Sequence, residues 1–248
     1  MQRESGRKTD MRKECNSELN MARQFLIFDA DDTLWENNIY FESAFDEFCD
    51  FLAHASMSPA DVRAVLDEIE IANAKVHGYG SRNFARNLAT CYQHLAERQI
   101  AEGDLKIVMD FAHAILERPI ELLDGVEETI NELSERHALT IFTKGDIEEQ
   151  QLKIDRSGLS KYFAHAAIVK EKNEPAYRQL ALERGFVPGD TWMIGNSPKS
   201  DILPALSAGL NAVFVPHART WSLEQSALPE QNPRLHTVEN IRQLTRMF

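Results

Sequence analysis

Short, unbroken runs of apolar residues recur along the chain and predict buried strands. The first run is Phe25–Phe28. Similar runs follow at Leu139–Phe142, Ala166–Val169, Thr191–Ile194 and Ala212–Val215. A strand that is apolar at successive positions, rather than at every second one, is typical of a parallel sheet covered on both faces. We therefore predict at least five strands of such a sheet.

Amphipathic helical patterns separate these runs and place helices between successive strands. Apolar residues recur with helical spacing over Val126–Arg136 and Pro175–Arg184, and a shorter pattern covers Asp201–Ala208. Gly185 follows the second pattern directly, at a position where glycine commonly ends a helix. Alternation of strand and helix is typical of an α/β fold, so we predict a Rossmann-like core with a parallel sheet.

Residues 39–119 have a different pattern and contain no strand-like run. Val62 and Leu66 have helical spacing, as have later apolar residues of this stretch. Ser58 followed by Pro59 is a favourable helix start, because serine caps a helix and proline fits its first position. We predict four helices here, inserted between the first and second strands, and refer to residues 39–119 as the helical insertion.

The domain boundaries follow from these patterns. Residues 21–38 and 120–248 are predicted to form the α/β core, interrupted by the helical insertion. Residues 1–20 are polar and lack apolar periodicity, so we expect a disordered N-terminal extension. Met21 lies directly before the first strand, which suggests the hypothesis that it is the native start of the protein.

Composition and charge exclude several classes of protein. The chain has 248 residues and a formal net charge of −12, which is unfavourable for binding a nucleic-acid backbone. No apolar run approaches the length of a membrane span, and the N-terminus lacks the features of a secretory signal. The three cysteines are widely spaced and favour neither a disulfide framework nor a zinc site. We expect a cytoplasmic protein that is a monomer or a homodimer.

Polar side chains with related chemistry follow four of the predicted strands. In open α/β sheets, ligands bind at the carboxyl ends of the strands, so these side chains are expected to meet at one edge. Carboxylates, a hydroxyl and ammonium groups together suit a phosphate held beside a divalent cation. The residues are Asp29, Asp31 and Thr33 after the first strand, Thr143 and Lys144 at the second, Lys172 after the third, and Asn196 and Asp201 after the fourth.

In this order, the four segments resemble the motifs of the haloacid dehalogenase (HAD) superfamily of hydrolases. The resemblance covers nearly everything from Ala22 onward, and the joint pattern is specific although each motif alone is weak. The helical insertion is similar to the helical C1 cap of that superfamily. The resemblance implies an α/β core that carries the reaction and a cap that contacts the substrate.

The resemblance also implies a role for each residue in phosphoryl transfer. Asp29 would be the nucleophile and form an aspartyl-phosphate, and Asp31 would be the general acid and base. Thr33 would fix the loop that carries both carboxylates. Thr143 would hydrogen-bond the phosphoryl oxygens, and Lys172 would neutralise them and pair with Asp29. Lys144 is expected to contribute to phosphate or substrate binding.

The implied cofactor is Mg²⁺, which prefers oxygen ligands. By the family pattern its ligands are Asp29, the main-chain carbonyl of Asp31, and a residue of the fourth motif, either Asn196 or Asp201. Asn196 is a departure, because that motif often opens with aspartate. A second departure is Asp32, where many members have glycine.

Two further choices stay open from the sequence. Lys170 competes with Lys172 for the role of the motif lysine, and we favour Lys172 because a helix start follows it. The glycine-rich turn before Arg82 and Arg86 is either a simple helix–helix connection or a substrate-contacting loop. In the second case the two arginines are expected to bind an anionic substrate.

We predict a Mg²⁺-dependent phosphatase that acts on a small phosphorylated metabolite. The alternatives are a phosphomutase, a 2-haloacid dehalogenase and a non-catalytic module that binds a phosphorylated ligand. Asp31 argues against a dehalogenase, because that branch generally lacks the second aspartate. The full motif set argues against a module without catalytic activity. The predicted partner is a small molecule, with no nucleic acid or membrane.

Overall fold

A parallel β-sheet forms the centre of the molecule. The computed structural model describes residues 23–248, and within them six parallel strands form one sheet in the order β3-β2-β1-β4-β5-β6. The strands are β1 (Phe25–Phe28), β2 (Ala138–Lys144), β3 (His165–Val169), β4 (Thr191–Gly195), β5 (Asn211–Phe214) and β6 (Leu235–Thr237). The predicted α/β fold with a parallel, Rossmann-like sheet is confirmed.

Helices cover this sheet and fill the long connection between its first two strands. The α-helices of residues 23–248 are α1 (Asn38–Leu52), α2 (Pro59–His77), α3 (Ser81–Leu95), α4 (Asp104–His113), α5 (Val126–Arg136), α6 (Ile147–Arg156), α7 (Glu174–Arg184), α8 (Leu203–Ser207) and α9 (Leu244–Met247). In this part of the chain, none of the helices combines the length and apolar character needed to cross a membrane.

The strand order places the end of β1 at a topological switch point. The chain passes from β1 to β2 and β3 on one side, and then crosses to β4 on the other side. Phe28 is therefore in register with Ile141 of β2 and with Ile194 of β4. Ligands bind at such a point, because the connections on the two sides diverge and leave a crevice.

The helices α1–α4 have an apolar cluster of their own, apart from the clusters around the sheet. Phe48, Leu66 and Leu88 are fully buried in it. Helix α2 begins with a capping box between Ser58 and Asp61, which agrees with the predicted helix start. We propose that residues 39–119 form a helical cap on a core made of residues 21–38 and 120–248. The expected disordered extension, residues 1–20, and Met21 lie outside the described residues.

Candidate active site

The loop after β1 carries the first cluster of polar groups. The Asp29 carboxylate is buried, and its Oδ2 accepts a hydrogen bond of 2.9 Å from the Thr33 hydroxyl. Asp32 has a φ of 60°, a left-handed conformation that glycine adopts easily and aspartate tolerates. Its carboxylate accepts hydrogen bonds from the backbone N–H groups of Asn37 and Asn38, at 2.9 and 3.0 Å. Asp32 therefore fixes the chain where it enters α1.

A buried ion cluster lies beside Asp29. The Lys172 ammonium donates hydrogen bonds to Oδ1 of Asp29 and Oδ1 of Asp201, and all three side chains are buried. Burial by itself lowers the pKa of Lys172, but the two carboxylates outweigh it and raise this pKa above its ordinary value. Lys172 is thus a fixed positive charge at the end of the central strands. Lys170, the competing lysine, is exposed.

Two side-chain oxygens converge on the Thr33 hydroxyl and fit a magnesium site. Oδ2 of Asp29 lies 2.9 Å from Thr33 Oγ1, and Oδ1 of Asn196 lies 3.1 Å from the same atom. The amide of Asn196 is oriented, because its Nδ2 donates to the Thr220 hydroxyl at 3.0 Å. A carboxylate and an amide oxygen held this close together are the hard donors that Mg²⁺ prefers.

Both side-chain oxygens of Asp201, the other candidate ligand of the fourth motif, accept hydrogen bonds from the protein. One of its oxygens accepts from Lys172 and the other accepts from the backbone N–H of Ser197 at 2.9 Å. Its side chain is fully buried behind Lys172 and is occupied by these contacts. Gly195 permits this position, because a Cβ there would lie 2.2 Å from Oδ2 of Asp201. We therefore propose Asn196, rather than Asp201, as the metal ligand.

The Asp31 carboxylate is held by two residues of α6 and by Trp35. Lys153 Nζ lies 2.6 and 2.7 Å from its two oxygens, and Gln150 Nε2 and Trp35 Nε1 donate to it at 2.8 Å. Burial alone would raise the pKa of Asp31, but the Lys153 charge and these hydrogen bonds outweigh it and lower the pKa. Asp31 is therefore ionised in this arrangement, which is the form that accepts a proton.

Residues at the end of β2 complete the cluster. The Thr143 hydroxyl is buried and donates to Oε1 of Gln150 at 3.2 Å, so Gln150 bridges Thr143 and Asp31. The Lys144 ammonium donates to the Ser200 hydroxyl at 2.8 Å and to the Glu224 carboxylate. Lys144 thus lies at the site as expected, but Glu224 balances its charge.

Gln150, Lys153 and Glu224 are functional candidates that the sequence pattern does not reveal. The apolar pattern does not predict α6, because it contains few apolar residues among many polar ones. The spacing of Gln150 and Lys153, three residues apart and shortly after the second motif, places both on one helix face. This spacing is the feature of the sequence that could have indicated Gln150 and Lys153 as site residues. Glu224 lies far along the chain in the short 3₁₀ helix Ser222–Glu224, where spacing gives no signal.

A cavity lies between this edge of the sheet and the helical insertion. Its walls combine the polar cluster of the core with both apolar and polar side chains of α1, α2, α3 and the turn between α2 and α3. The core contributes Asp29, Asp31, Thr143, Lys144, Lys153, Lys172 and Asn196, and the insertion contributes Tyr40, Phe41, Arg63, Glu70, Tyr79, Asn83, Phe84 and Asn87.

Arg82 and Arg86 do not reach this cavity, contrary to the expectation from the sequence. Both are exposed, and Arg82 forms an ion pair of 2.8 Å with Glu148 on the surface. Successive helix residues are rotated by about 100°, so residues four apart share a face. Arg82 and Arg86 thus lie on one face of α3, and Asn83 and Asn87 lie on another. Asn83 and Asn87 are therefore the pair that α3 turns toward the cavity.

Glu70 on the cavity wall makes the stability of the protein dependent on pH. Burial raises its pKa from 4.5 to about 8, although the charge of Arg63 opposes this shift. The folded protein thus keeps a proton that the unfolded chain releases, so this stabilisation is present below pH 4.5 and is lost as the pH rises toward 8.

Glu70→Gln is therefore expected to leave stability nearly unchanged at acidic pH and to raise it at alkaline pH. Near pH 9 we expect a gain of roughly 1–3 kcal/mol in the free energy of unfolding, because a buried charge is removed. Urea unfolding across the pH range measures this difference. Glu68→Gln, an exposed change on the same helix, is the control. A difference that does not vary with pH would contradict the prediction.

A trio of titratable groups lies at the entrance to α1. One carboxylate oxygen each of Asp32 and Glu36 and one ring nitrogen of His217 lie within 4.8 Å of one another. Burial raises the pKa of Asp32 to about 7, the charges of Asp31 and Asp29 add to this effect, and the backbone hydrogen bonds oppose it. Since Asp32 already accepts hydrogen bonds from the start of α1, we interpret the trio as part of the connection between core and insertion.

Comparison with known proteins places this geometry in a family. A family model described as haloacid dehalogenase-like hydrolase matches residues 25–209, which includes all four polar segments. The chain belongs to this family. A haloacid dehalogenase-like family hydrolase from Xanthomonas campestris is 29% identical, with a TM-score of 0.80 over 91% of this chain and 90% of that one.

Other relatives are more distant or match only in part. N-acylneuraminate-9-phosphatase of Mus musculus is 32% identical over 114 residues, which are 44% of this chain and 46% of the mouse protein. The match thus spans about half the length of the curated relative. The HAD-hydrolase YfnB of Bacillus subtilis, solved bound to magnesium, is 16% identical with a TM-score of 0.66 over 91% of this chain and 98% of that one. At that identity the likeness shows the shared fold alone.

Proposed function

We propose that the protein is a Mg²⁺-dependent phosphatase that acts on a small phosphorylated metabolite. The observation that carries the proposal is the buried Asp29 carboxylate, flanked by the Lys172 ammonium and by the oxygens of Thr33 and Asn196. This set combines a nucleophile, a fixed positive charge and hard oxygen ligands at the switch point of the sheet. The partial likeness to a protein named as a phosphatase supports the same reaction.

Asp29 is the nucleophile in this proposal. One of its oxygens attacks phosphorus, the bond from phosphorus to the leaving oxygen breaks, and an aspartyl-phosphate forms. Lys172 stabilises the charge on the phosphoryl group and donates a hydrogen bond to Asp29, while the Thr33 hydroxyl orients the carboxylate. The buried Thr143 hydroxyl, at the end of β2, would donate its hydrogen bond to a phosphoryl oxygen in place of Gln150.

Asp31 is the general acid and base. Its ionised form accepts a proton from the water that attacks the aspartyl-phosphate, and the protonated form then donates to the leaving oxygen of the next substrate. Lys153 and Gln150 hold the carboxylate in its ionised form, so donation requires Asp31 to leave these partners. Asp31, Gln150 and Lys153 all line the cavity.

The metal would be held by Asp29, Asn196 and the main-chain carbonyl of Asp31. When bound, Mg²⁺ supplies positive charge that neutralises the oxygens of the phosphoryl group. The negative charge of the protein ligands then comes from Asp29, since Asn196 is neutral. Asp201 contributes indirectly, because it fixes the position of Lys172.

The phosphomutase and dehalogenase alternatives lead to different products. A phosphomutase returns the phosphoryl group to a substrate, whereas a phosphatase releases inorganic phosphate. A dehalogenase acts through Asp29 without a metal, and the acid–base position held by Asp31 would have no function in it. Release of phosphate therefore separates the proposal from both alternatives.

Activity is expected to disappear in EDTA and to return when Mg²⁺ is added. The measurement is phosphate release from a panel of phosphorylated metabolites and a small aryl phosphate. The panel includes an N-acylneuraminate 9-phosphate because of the partial likeness to the mouse enzyme. Full activity in the metal-free protein would contradict the metal assignment, and no phosphate release from any compound would contradict the proposed reaction.

A further inference from the structure

The N-terminus of α3, a helix of the insertion, is capped by a carboxylate from the core. Glu149 on α6 accepts hydrogen bonds from the Ser81 N–H at 2.8 Å, from the Ser81 hydroxyl at 2.9 Å and from the Arg82 N–H at 3.2 Å. Glu149 is only 4% exposed. Gly80 occupies the N-cap position and has no side chain that could cap this turn. Among residues 23–248, Glu149 of the core is therefore the sole side chain that caps the first turn of α3.

Gly80, directly before α3, lies against this carboxylate and leaves no room there for a side chain. Gly80 has a φ of +123°, and a Cβ built on it would lie 2.7 Å from Oε2 of Glu149 and 3.3 Å from Cβ of Asp146. A side chain at this position would therefore have to displace the Glu149 carboxylate. This observation is independent of the hydrogen bonds and points to the same close contact.

Charge and burial distinguish Glu149 from the other contacts at this boundary. A carboxylate at a helix N-terminus interacts favourably with the partial positive charge of that end, and more so where water is excluded. The neighbouring pairs are more exposed: Arg82 with Glu148 at 2.8 Å, and Tyr79 with Glu171 at 2.9 Å. Exposed pairs of this kind contribute little.

We propose that Glu149 is a positioning residue that holds the helical insertion closed over the cavity. Helix α3 carries Asn83 and Asn87 on the cavity wall, two and six residues after the capped Ser81. Anchoring the first turn of α3 to α6 therefore sets the distance between these amides and the phosphate-handling groups of the core. The kinetic consequences rest on the proposed phosphatase function.

Glu149→Gln keeps the size of the side chain but removes its charge and one acceptor. For a metabolite whose leaving group is large enough to touch Asn83 and Asn87, we expect kcat/KM to fall by about tenfold or more. For a small aryl phosphate, which makes few contacts with the insertion, we expect a change within about twofold. This split between substrates is not expected from a general loss of stability.

Hydrogen exchange tests the anchor without any substrate. In the wild-type protein the Ser81 and Arg82 amides are expected to exchange slowly, and in Glu149→Gln about tenfold faster or more, with the rest of α3 unaffected. Glu148→Gln is the matched control, because it changes the adjacent but exposed carboxylate, and it is expected to behave as wild type. Gly80→Ala leaves Glu149 in the chain but displaces its carboxylate, and is expected to show the same faster exchange at Ser81 and Arg82. It serves as the test variant if Glu149→Gln does not fold.

The outcomes separate the two proposals. If wild type releases phosphate but the exchange and substrate ranking of Glu149→Gln and Gly80→Ala match wild type, the anchoring role is wrong and the phosphatase stands. If the amides lose protection in both variants but wild type hydrolyses no phosphomonoester, the anchor is supported and the proposed reaction is wrong. Equal loss of protection in Glu148→Gln would also overturn the role of Glu149.

Discussion

Asp29→Asn is expected to reduce phosphate release by at least about 10⁴-fold, because an amide cannot form the aspartyl-phosphate. The Thr33 hydroxyl can still hydrogen-bond the new side chain, and Lys172 keeps Asp201 as a partner. The fold is therefore expected to persist. The measurement is initial-rate phosphate release with Mg²⁺, together with circular dichroism of the folded protein.

Asp46→Asn is the matched control for this substitution. Asp46 is an exposed acid on α1, so the same chemical change there is expected to leave the rate near that of wild type. Activity of Asp29→Asn within tenfold of wild type would show that Asp29 is not the nucleophile. Loss of the folded signal would instead require a second nucleophile variant, Asp29→Glu, which keeps the charge beside Lys172 but displaces the carboxylate.

Lys172→Met is expected to impair both stability and activity. The substitution keeps the length of the side chain but leaves the buried carboxylates of Asp29 and Asp201 without their cation. Removing one partner from a buried ion pair typically costs about 3–5 kcal/mol, and we expect a loss of that order in the free energy of unfolding. Urea unfolding measures the loss of stability, and phosphate release is expected to fall by at least about 10²-fold in the fraction that remains folded.

Lys170→Met decides between the two lysines after β3. Lys170 is exposed, so its removal is expected to change stability by less than about 0.5 kcal/mol and to leave activity near wild type. The double variant Lys172→Met with Asp201→Asn is expected to recover part of the lost stability, because it removes one of the two repelling carboxylates. A large effect at Lys170 with none at Lys172 would reverse the assignment.

The strands and their chemistry were predictable because they depend on local patterns. Continuous apolar runs predicted the strands β1 to β5 to within a few residues, for example β1 at Phe25–Phe28. The carboxyl ends of parallel strands meet at one edge, so Asp29, Thr143, Lys172 and Asn196 were expected to converge there. The strand β6 was not predicted, because it has only three residues, Leu235–Thr237, and no continuous apolar run.

The remaining features depend on contacts that sequence spacing does not encode. The contact of Lys153 with Asp31 joins residues 122 positions apart, and that of Glu149 with Ser81 joins residues 68 apart. Whether Arg82 or Asn83 lines the cavity depends on which face of α3 packs over the core. The presence of the arginines in the sequence does not determine that face. Glycine at position 80 had a structural reason that becomes visible only beside the Glu149 carboxylate.

Chemical trapping of the intermediate tests the central claim most directly. The Asp31→Asn variant is mixed with Mg²⁺ and an aryl phosphate, whose leaving group needs little protonation, and is then treated with borohydride, which reduces an aspartyl-phosphate to homoserine. Peptide mass spectrometry is expected to find homoserine at position 29, and none there in the variant that also carries Asp29→Asn. If Asp31→Asn releases phosphate but position 29 is unmodified, or homoserine is found at another aspartate position, the claim that Asp29 is the nucleophile of a phosphatase is contradicted.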